Sequence, residues 1–330
     1  MNIKRIIFII TLISTLLSAQ ENSKFYASLE LGLANIAFAK NHFFALRGEN
    51  LPFKRKKNLD TDSNNAKGNS VAITFGTHLP ITFAGANSIK IYSKVWHITA
   101  QASNTKNFKD NGVGKKYGWV ELDNSNGFRT NTGNTLNTNI EQKLRHWGAD
   151  ILLSFEYALG DDASLSIFTG PSYRSNNQDT DIKGNIIGGS ITVHLKDKIS
   201  ENLFGAKLGI NYNLKFKNKW LLNMDFAISQ YRKFATYTGA YTRYSFPFST
   251  SVNRKLSDTQ NSKGVDLDIQ LGYKFAKQTY VSIYADYNYL SNVTQVSYGS
   301  GPTDPAGGVL SLSNDEQSSL VYGLRLNYMF

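Results

Sequence analysis

Strict alternation of apolar and polar residues is the feature that most restricts how this chain of 330 residues can fold. Along residues 203–216, an apolar series from Phe204 to Phe216 occupies every second position, and polar residues or glycines fill the positions between. A β-strand points successive side chains to opposite faces, so this segment predicts a strand with one apolar and one polar face. The same pattern recurs from Trp147 and from Gly264.

Weaker alternation predicts further strands. These segments begin near Phe25, Ser70, Ile89, Ala163, Trp220, Tyr280 and Ser319. All the segments together predict about ten strands of roughly 9–13 residues, the length that a tilted strand needs to cross a bilayer.

The connections between these segments differ in length. Tight connections at 160–162, 217–219 and 276–278 alternate with long polar ones at about 41–69, 102–139, 174–202, 232–263 and 291–318, and the connection at 77–88 is the longest of the short set. Outer-membrane barrels have short periplasmic turns and long extracellular loops, whereas a soluble sandwich has no reason to sort its loops in this way.

The predicted fold is therefore all-β: a single antiparallel transmembrane barrel of about 10 strands, within a range of about 8–12, with five long extracellular loops. In lipid every backbone polar group must find its partner within the protein, so the first strand must pair with the last. The apolar faces then point to lipid. Aromatic girdles at the two interfaces account for the 20 phenylalanines and 18 tyrosines.

The N-terminal segment has the composition of a secretory signal peptide. Lys4 and Arg5 precede an apolar run that ends near Leu17, and Ala19 offers a small residue for cleavage. We therefore expect residues 1–19 to be removed and residues 20–330 to form the barrel in a bacterial, Gram-negative outer membrane. The absence of cysteine excludes a disulfide scaffold, a cysteine nucleophile and a thiolate metal site.

The C-terminal segment 320–330 alternates without interruption and ends in an aromatic residue. It resembles the last strand of bacterial outer-membrane β-barrel proteins. That resemblance implies that the barrel-insertion machinery recognises this strand. The residues that carry the resemblance are Tyr322, Gly323, Leu324, Leu326, Tyr328 and Phe330.

Small barrels are filled by side chains rather than open, and charged residues fall on the predicted inner faces. They are Glu30, Lys90, Asp150, Glu156, Lys207, Asp225, Asp266, Asp268, Asp286 and Arg325. Mixed signs permit ion pairing across a narrow lumen, which favours a stabilising role. A narrow water path between these groups, as in a small porin-like channel, is the alternative.

No catalytic constellation stands out, so we expect neither enzymatic activity nor a cofactor. The five histidines show no metal-binding spacing. His194 has Asp197 close by, but nothing marks a nucleophile for them to activate.

The predicted architecture is similar to that of the omptin proteases, which are ten-stranded barrels with an Asp/His site at the rim. Glu121 and Asp123 resemble the acid pair of that family. The resemblance implies an Asp–His element in the fourth loop, but residues 232–263 contain no histidine. His146 could substitute only by a different geometry, so an omptin-like protease with an incomplete site is a second alternative.

The formal net charge of +11 is concentrated on predicted external loops. Its densest patch is Lys54, Arg55, Lys56 and Lys57. Such a patch would attract lipopolysaccharide phosphates or an extracellular polyanion on a host surface. Nucleic acid is not an expected partner of an exported chain. The leading hypothesis is a surface-exposed protein whose basic, aromatic loops serve adhesion, partner binding or envelope structure.

Overall fold

The computed structural model describes residues 25–37, 42–45, 58–60, 66–79, 83–109, 135–187, 191–217, 219–245, 247–299 and 309–329. The predicted signal peptide, the Lys54–Lys57 patch, Glu121, Asp123 and Phe330 lie outside these residues. Within them, no helix is long and apolar enough to cross a membrane.

Every regular element of the described chain is a β-strand. The strands are β1 (Phe25–Ala37), β2 (His42–Ala45), β3 (Asn58–Asp60), β4 (Ala66–Leu79), β5 (Ser88–Lys109), β6 (Thr135–Ala158), β7 (Ala163–Ile187), β8 (Ile191–Phe216), β9 (Trp220–Ser245), β10 (Phe248–Ala276), β11 (Thr279–Gly299) and β12 (Val309–Met329). Strands β1 and β4–β12 close into one barrel, while β2 and β3 form a separate small sheet that the alternation did not predict.

The barrel is antiparallel throughout, and its first and last strands pair. Tyr26 lies opposite Met329 and Ala37 lies opposite Ser318, while the other edge of β1 pairs with β4. In the described part of the chain, ten strands thus form a ring without a free edge, which satisfies the backbone within the wall. The predicted barrel and its strand number are confirmed.

The predicted strand lengths are wrong for eight of the ten barrel strands. Strands β5, β11 and β12 run for 21–22 residues and β6–β10 for 24–29, so most of the predicted loops 174–202, 232–263 and 291–318 are strand. The reason is an inversion of the faces. On β8, Leu208 points outward, whereas Leu195, Ile199 and Leu203 point inward and are buried. The lower part of the strand thus faces lipid, and the upper part encloses its own apolar interior.

Two rows of aromatic side chains mark the ends of the lipid-facing surface. The lower row runs through Phe216, Trp220 and Tyr273, with ring centroids 6.4 and 5.1 Å apart. The upper row runs through Trp147, Tyr173, Phe204 and Phe234, at 4.8, 4.7 and 6.4 Å. Phe204 and Phe216 both belong to β8, and their separation along a strand tilted by about 40° corresponds to roughly 30 Å across the membrane. We call the part of β6–β10 above the upper row the extracellular wall.

Candidate functional site: the charged lumen and the extracellular wall

A buried arginine of the last strand organises the lower lumen. The Arg325 guanidinium donates to Asp268 at 2.6 Å and lies 3.1 Å from Glu30. Lys94 is a second cation beside Glu30, at 3.3 Å, and the Arg325 guanidinium also lies over the Tyr284 ring at 4.8 Å. Strands β1, β5, β10, β11 and β12 are therefore tied together across the barrel interior.

A second arginine organises the upper lumen. Arg174 donates two hydrogen bonds of 2.8 Å to Asp266. Lys207 lies between two carboxylates, with its Nζ 2.9 Å from Asp266 and 2.6 Å from Asp150. The rings of Trp96 and Tyr231 lie 5.7 and 5.3 Å from the Arg174 guanidinium carbon. Arg174 was not predicted as a lumen residue because it falls in a segment predicted as loop. Its place in the alternation of β7 was the signal that could have revealed it.

Of the remaining predicted lumen charges, Lys90 and Glu156 lie toward the periplasmic end, and Asp225 and Asp286 lie level with Asp268. Lys90 pairs with Glu156 at 2.7 Å, and Asp286 lies 3.8 Å from Lys94. Asp225 accepts a hydrogen bond from the Asn211 amide. The structure thus places all the predicted lumen charges on the inner face, where they form ion pairs and hydrogen bonds rather than line an open passage.

The space left between these groups is small. A cavity of about 100 Å³, bordered by Glu30, Lys94, Arg174, Lys207 and Asp268 among others, lies inside the barrel. One water molecule needs about 10–15 Å³ of such space, so the cavity has room for several waters. Charged side chains thus fill much of the lumen around this cavity.

A further layer of contacts lies above the cavity. The Lys233 side chain is fully buried and its Nζ donates to Thr294 Oγ1 at 2.9 Å, to Asn314 Oδ1 at 3.2 Å and to the carbonyl oxygen of Asn292. Asn292 has a φ of 55° and lies in an irregularity of β11 that turns its carbonyl toward Lys233. Glu201 accepts from the backbone N–H of Thr294 at 2.6 Å. These bonds tie β8, β9, β11 and β12 together.

The histidines and their acidic neighbours do not form the arrangement that the sequence suggested. His194 and Asp197 lie on opposite faces of β8 because their spacing is odd. His194 Nε2 instead lies 2.8 Å from Asp181 Oδ1 on the outer face. His146 is buried in the lumen, with its ring 4.5 Å from that of Trp96, rather than exposed at the rim. Among the described residues, no cluster of three or more such side chains could hold a metal ion.

Asp197 occupies an apolar part of the extracellular wall, beyond the membrane-spanning segments. It is buried, and the Tyr237 hydroxyl donates to its Oδ1 at 2.5 Å. Burial raises the pKa of Asp197 to about 8, although the Tyr237 hydrogen bond acts in the opposite direction. A carboxyl group of this kind is protonated at neutral pH.

The outer face of the wall carries two adjoining depressions. The lower one, of about 590 Å³, lies beside Lys67, Gln101, Lys143 and Arg145. The upper one, of about 750 Å³, crosses β6–β10 and also borders Lys143. Other charged residues along the upper depression are Glu141, Asp179, Asp181, Lys196, Asp197, Lys198, Arg254 and Lys255. The depressions lie directly above the upper aromatic row, at the level of lipid headgroups.

Comparison with known proteins gives structural neighbours only. No family model matches the chain, and no curated protein matches it. The Escherichia coli outer membrane protease OmpT is 14% identical over 93% of this chain and 97% of that chain, with a TM-score of 0.46. The Ralstonia pickettii toluene transporter TbuX is 9% identical over 95% of this chain and 90% of that chain, with a TM-score of 0.33.

Neisserial surface protein A is similar over 92% of this chain and 98% of that chain, at 11% identity and a TM-score of 0.25. Likenesses of this strength add no function and no site residue. The ring of strands and its lipid-facing exterior show the fold by themselves. That fold is the one found in bacterial outer-membrane β-barrel proteins.

Proposed function

We propose that this protein is a non-conducting, surface-exposed barrel whose extracellular wall binds lipopolysaccharide on its outer face and presents the connecting loops to partners outside the cell. The observation that carries the proposal is the plugged lumen beneath a tall wall. Two arginine-centred clusters and the Lys233 layer fill the interior, while five strands continue far beyond the membrane. Such a barrel anchors the extracellular wall and its loops in the membrane.

The filled interior argues against the porin-like alternative. A conducting pore needs a continuous aqueous passage, and barrels of this size have interiors just wide enough for side chains to fill. Here the two arginines hold carboxylates from opposite strands at hydrogen-bond distance. A hydrated ion would have to break these contacts in order to pass.

The outer face of the wall favours lipopolysaccharide as the partner. Lys143, Arg145, Lys196 and Lys198 point outward just above the aromatic row, in the layer that lipopolysaccharide phosphates and inner sugars occupy. Phosphate oxygens accept charge-assisted hydrogen bonds from lysine and arginine. An external polyanion would have to displace lipopolysaccharide to reach this surface. The Lys54–Lys57 patch stays a prediction for partners that approach from outside.

We also propose a binding role rather than a catalytic one. A hydrolase at the rim needs a base that can reach substrate and water. His146 is enclosed in the lumen against Trp96, and His194 with Asp181 faces the lipopolysaccharide layer. Neither position supports the omptin-like alternative.

Planar-bilayer recording of the refolded protein tests the plugged barrel. We expect no conductance steps under conditions in which a reference porin, inserted in the same bilayer, gives clear ones. Reproducible steps from protein that migrates as a folded barrel on a gel would contradict the proposed function and favour the channel.

Binding to vesicles that contain lipopolysaccharide tests the outer face. Each lysine or arginine near an anionic surface contributes about 1 kcal/mol, so changing Lys143, Arg145 and Lys196 together to glutamine should weaken binding by about 100-fold at low salt. The matched control changes Lys215, Lys217 and Lys219 to glutamine near the opposite barrel end. Equal binding by the wall variant and the control would refute lipopolysaccharide binding at this surface.

A further inference from the structure

A column of buried polar atoms lies along the inner face of β7. Arg174 Nε, Asn176 Oδ1 and Gln178 Nε2 have no hydrogen-bond partner within the described part of the chain, and the same holds for His146 Nε2 and Asp197 Oδ2. All five side chains are more than nine-tenths buried. A buried polar atom without a partner costs about 1–3 kcal/mol, so five in one region require an explanation.

The strand register stacks these residues in order. Arg174, Asn176 and Gln178 occupy successive inward positions of β7. His146 lies opposite Asn176 on β6, and Asp197 lies opposite Thr180, one inward position above Gln178. Inward positions on one strand repeat at about 6.6 Å. Two hydrogen bonds through one water molecule span about 5.6 Å, so a single water suits each step.

The surroundings confine the column to a narrow track. Leu144 and Ile199 flank Gln178 on β6 and β8, and both are buried. Above Asp197 the inward residues turn apolar, and Ile182 and Leu195 close the top. At the lower end, His146 and Arg174 border the lumen cavity. The track is therefore open to the cavity at its lower end and bordered by apolar side chains of β7 and β8 at its upper end.

We propose that a chain of internal water molecules runs along the inner face of β7 from the lumen cavity to Asp197, and that Asp197 is a proton-binding site which exchanges its proton through this chain. Water supplies both donors and acceptors, so it satisfies Gln178 Nε2 and Asn176 Oδ1 alike. When Asp197 releases its proton, the proton passes from the carboxyl O–H to the adjoining water and onward to lumen carboxylates.

The charged groups around Asp197 are consistent with this role. On its own strand Glu201 lies two inward positions below, Tyr237 donates from β9, and His146 is the titratable group on β6. Lys233 lies 3.7 Å from Glu201 and bonds to β11 and β12, and Arg254 lies across β9, opposite Gly239. None of these places a cation against the carboxyl group, in agreement with the raised pKa of about 8 that burial produces.

Infrared spectroscopy of the refolded full chain tests the proposal. A protonated carboxyl band that disappears in Asp197→Asn identifies the acid at neutral pH. On transfer to D₂O this band should shift quickly in the wild type and several-fold more slowly in Gln178→Leu, which cuts the chain at a residue of nearly the same size. The control Gln295→Leu changes a buried glutamine of β11 outside the column.

An Asp197 band that exchanges at the same rate in Gln178→Leu as in the wild type and the control would overturn the proposal. A second measurement does not depend on any variant. In a high-resolution structure of the wild-type protein, we expect ordered water within hydrogen-bond distance of Gln178 Nε2 and Asp197 Oδ2. Continuous side-chain packing at these two atoms, without water, would equally refute it.

Discussion

Removal of the lower lumen arginine should destabilise the barrel strongly. Arg325 is 7% exposed and forms an ion pair of 2.6 Å with Asp268, which the substitution breaks, whereas Glu30 keeps Lys94 at 3.3 Å. Arg325→Met therefore leaves one buried carboxylate without its counter-charge. Breaking a buried ion pair in this way costs about 3–5 kcal/mol, and the retained Lys94 contact places the expected loss near the middle of that range, about 4 kcal/mol.

The matched control is Arg145→Met. It removes the same side chain from an equally short contact, 2.7 Å to Asp179, but the two side chains are 56% and 38% exposed on the outer face. Solvent screens an exposed pair, so this loss should stay below about 1 kcal/mol. Equilibrium urea unfolding in lipid vesicles, followed by tryptophan fluorescence, measures both. Equal losses in the two variants would refute the reasoning that burial gives the lumen pairs their importance.

Two further predictions concern the wall and the membrane-spanning strands. The folded state keeps the Asp197 proton up to a pKa of about 8, while the unfolded chain releases it above about pH 4. Asp197 should therefore contribute a fall in stability of about 1.4 kcal/mol per pH unit between about pH 5 and pH 7, so the pH slope of Asp197→Asn should differ from that of the wild type by this amount, whereas the slope of Asp161→Asn in an exposed turn should not. Urea midpoints at the two pH values measure it, and parallel slopes in all three proteins would contradict the assignment. Separately, a Cβ on Gly170 would lie 2.0 Å from the Ile151 carbonyl oxygen, whereas one on Gly264 meets nothing closer than 3.3 Å. Gly170→Ala should therefore lose about 1–3 kcal/mol more than Gly264→Ala in the same unfolding assay, and an equal loss would count against close backbone packing at β6 and β7.

The membrane-spanning half of the fold could be predicted because lipid imposes a simple rule. Outward positions of these strands must be apolar, so alternation such as Phe204 to Phe216 reports both the strand and its lipid-facing side. The charged residues at the alternate positions were therefore predicted to point inward, and the structure places each of them in the lumen. Closure of the ring followed from the backbone's need for partners in lipid.

The extracellular wall was missed because its apolar residues face the other way. Leu195 and Ile199 continue the alternation of β8, but their phase is opposite to that of Leu208 in the membrane. The lipid-facing alternation therefore ends where the phase inverts, and the rest of the strand was predicted as loop. Because the wall was predicted as loop, Arg174 was not assigned to the inner face of a strand. His194 was paired with Asp197 for the same reason, although their odd spacing puts the two side chains on opposite faces of β8.

The pairing of β1 with β12 also determines when this protein can fold. Tyr26 meets Met329, so the barrel's closing contact joins residues separated by nearly the whole sequence. Contacts of such long range are slow to form, because the chain must lose its loop entropy before they contribute any stability. Until the last strand arrives, the first strand exposes an unpaired edge that another chain could occupy. Rapid mixing experiments on this protein should therefore find ring closure, rather than formation of the neighbouring hairpins, as the rate-limiting step.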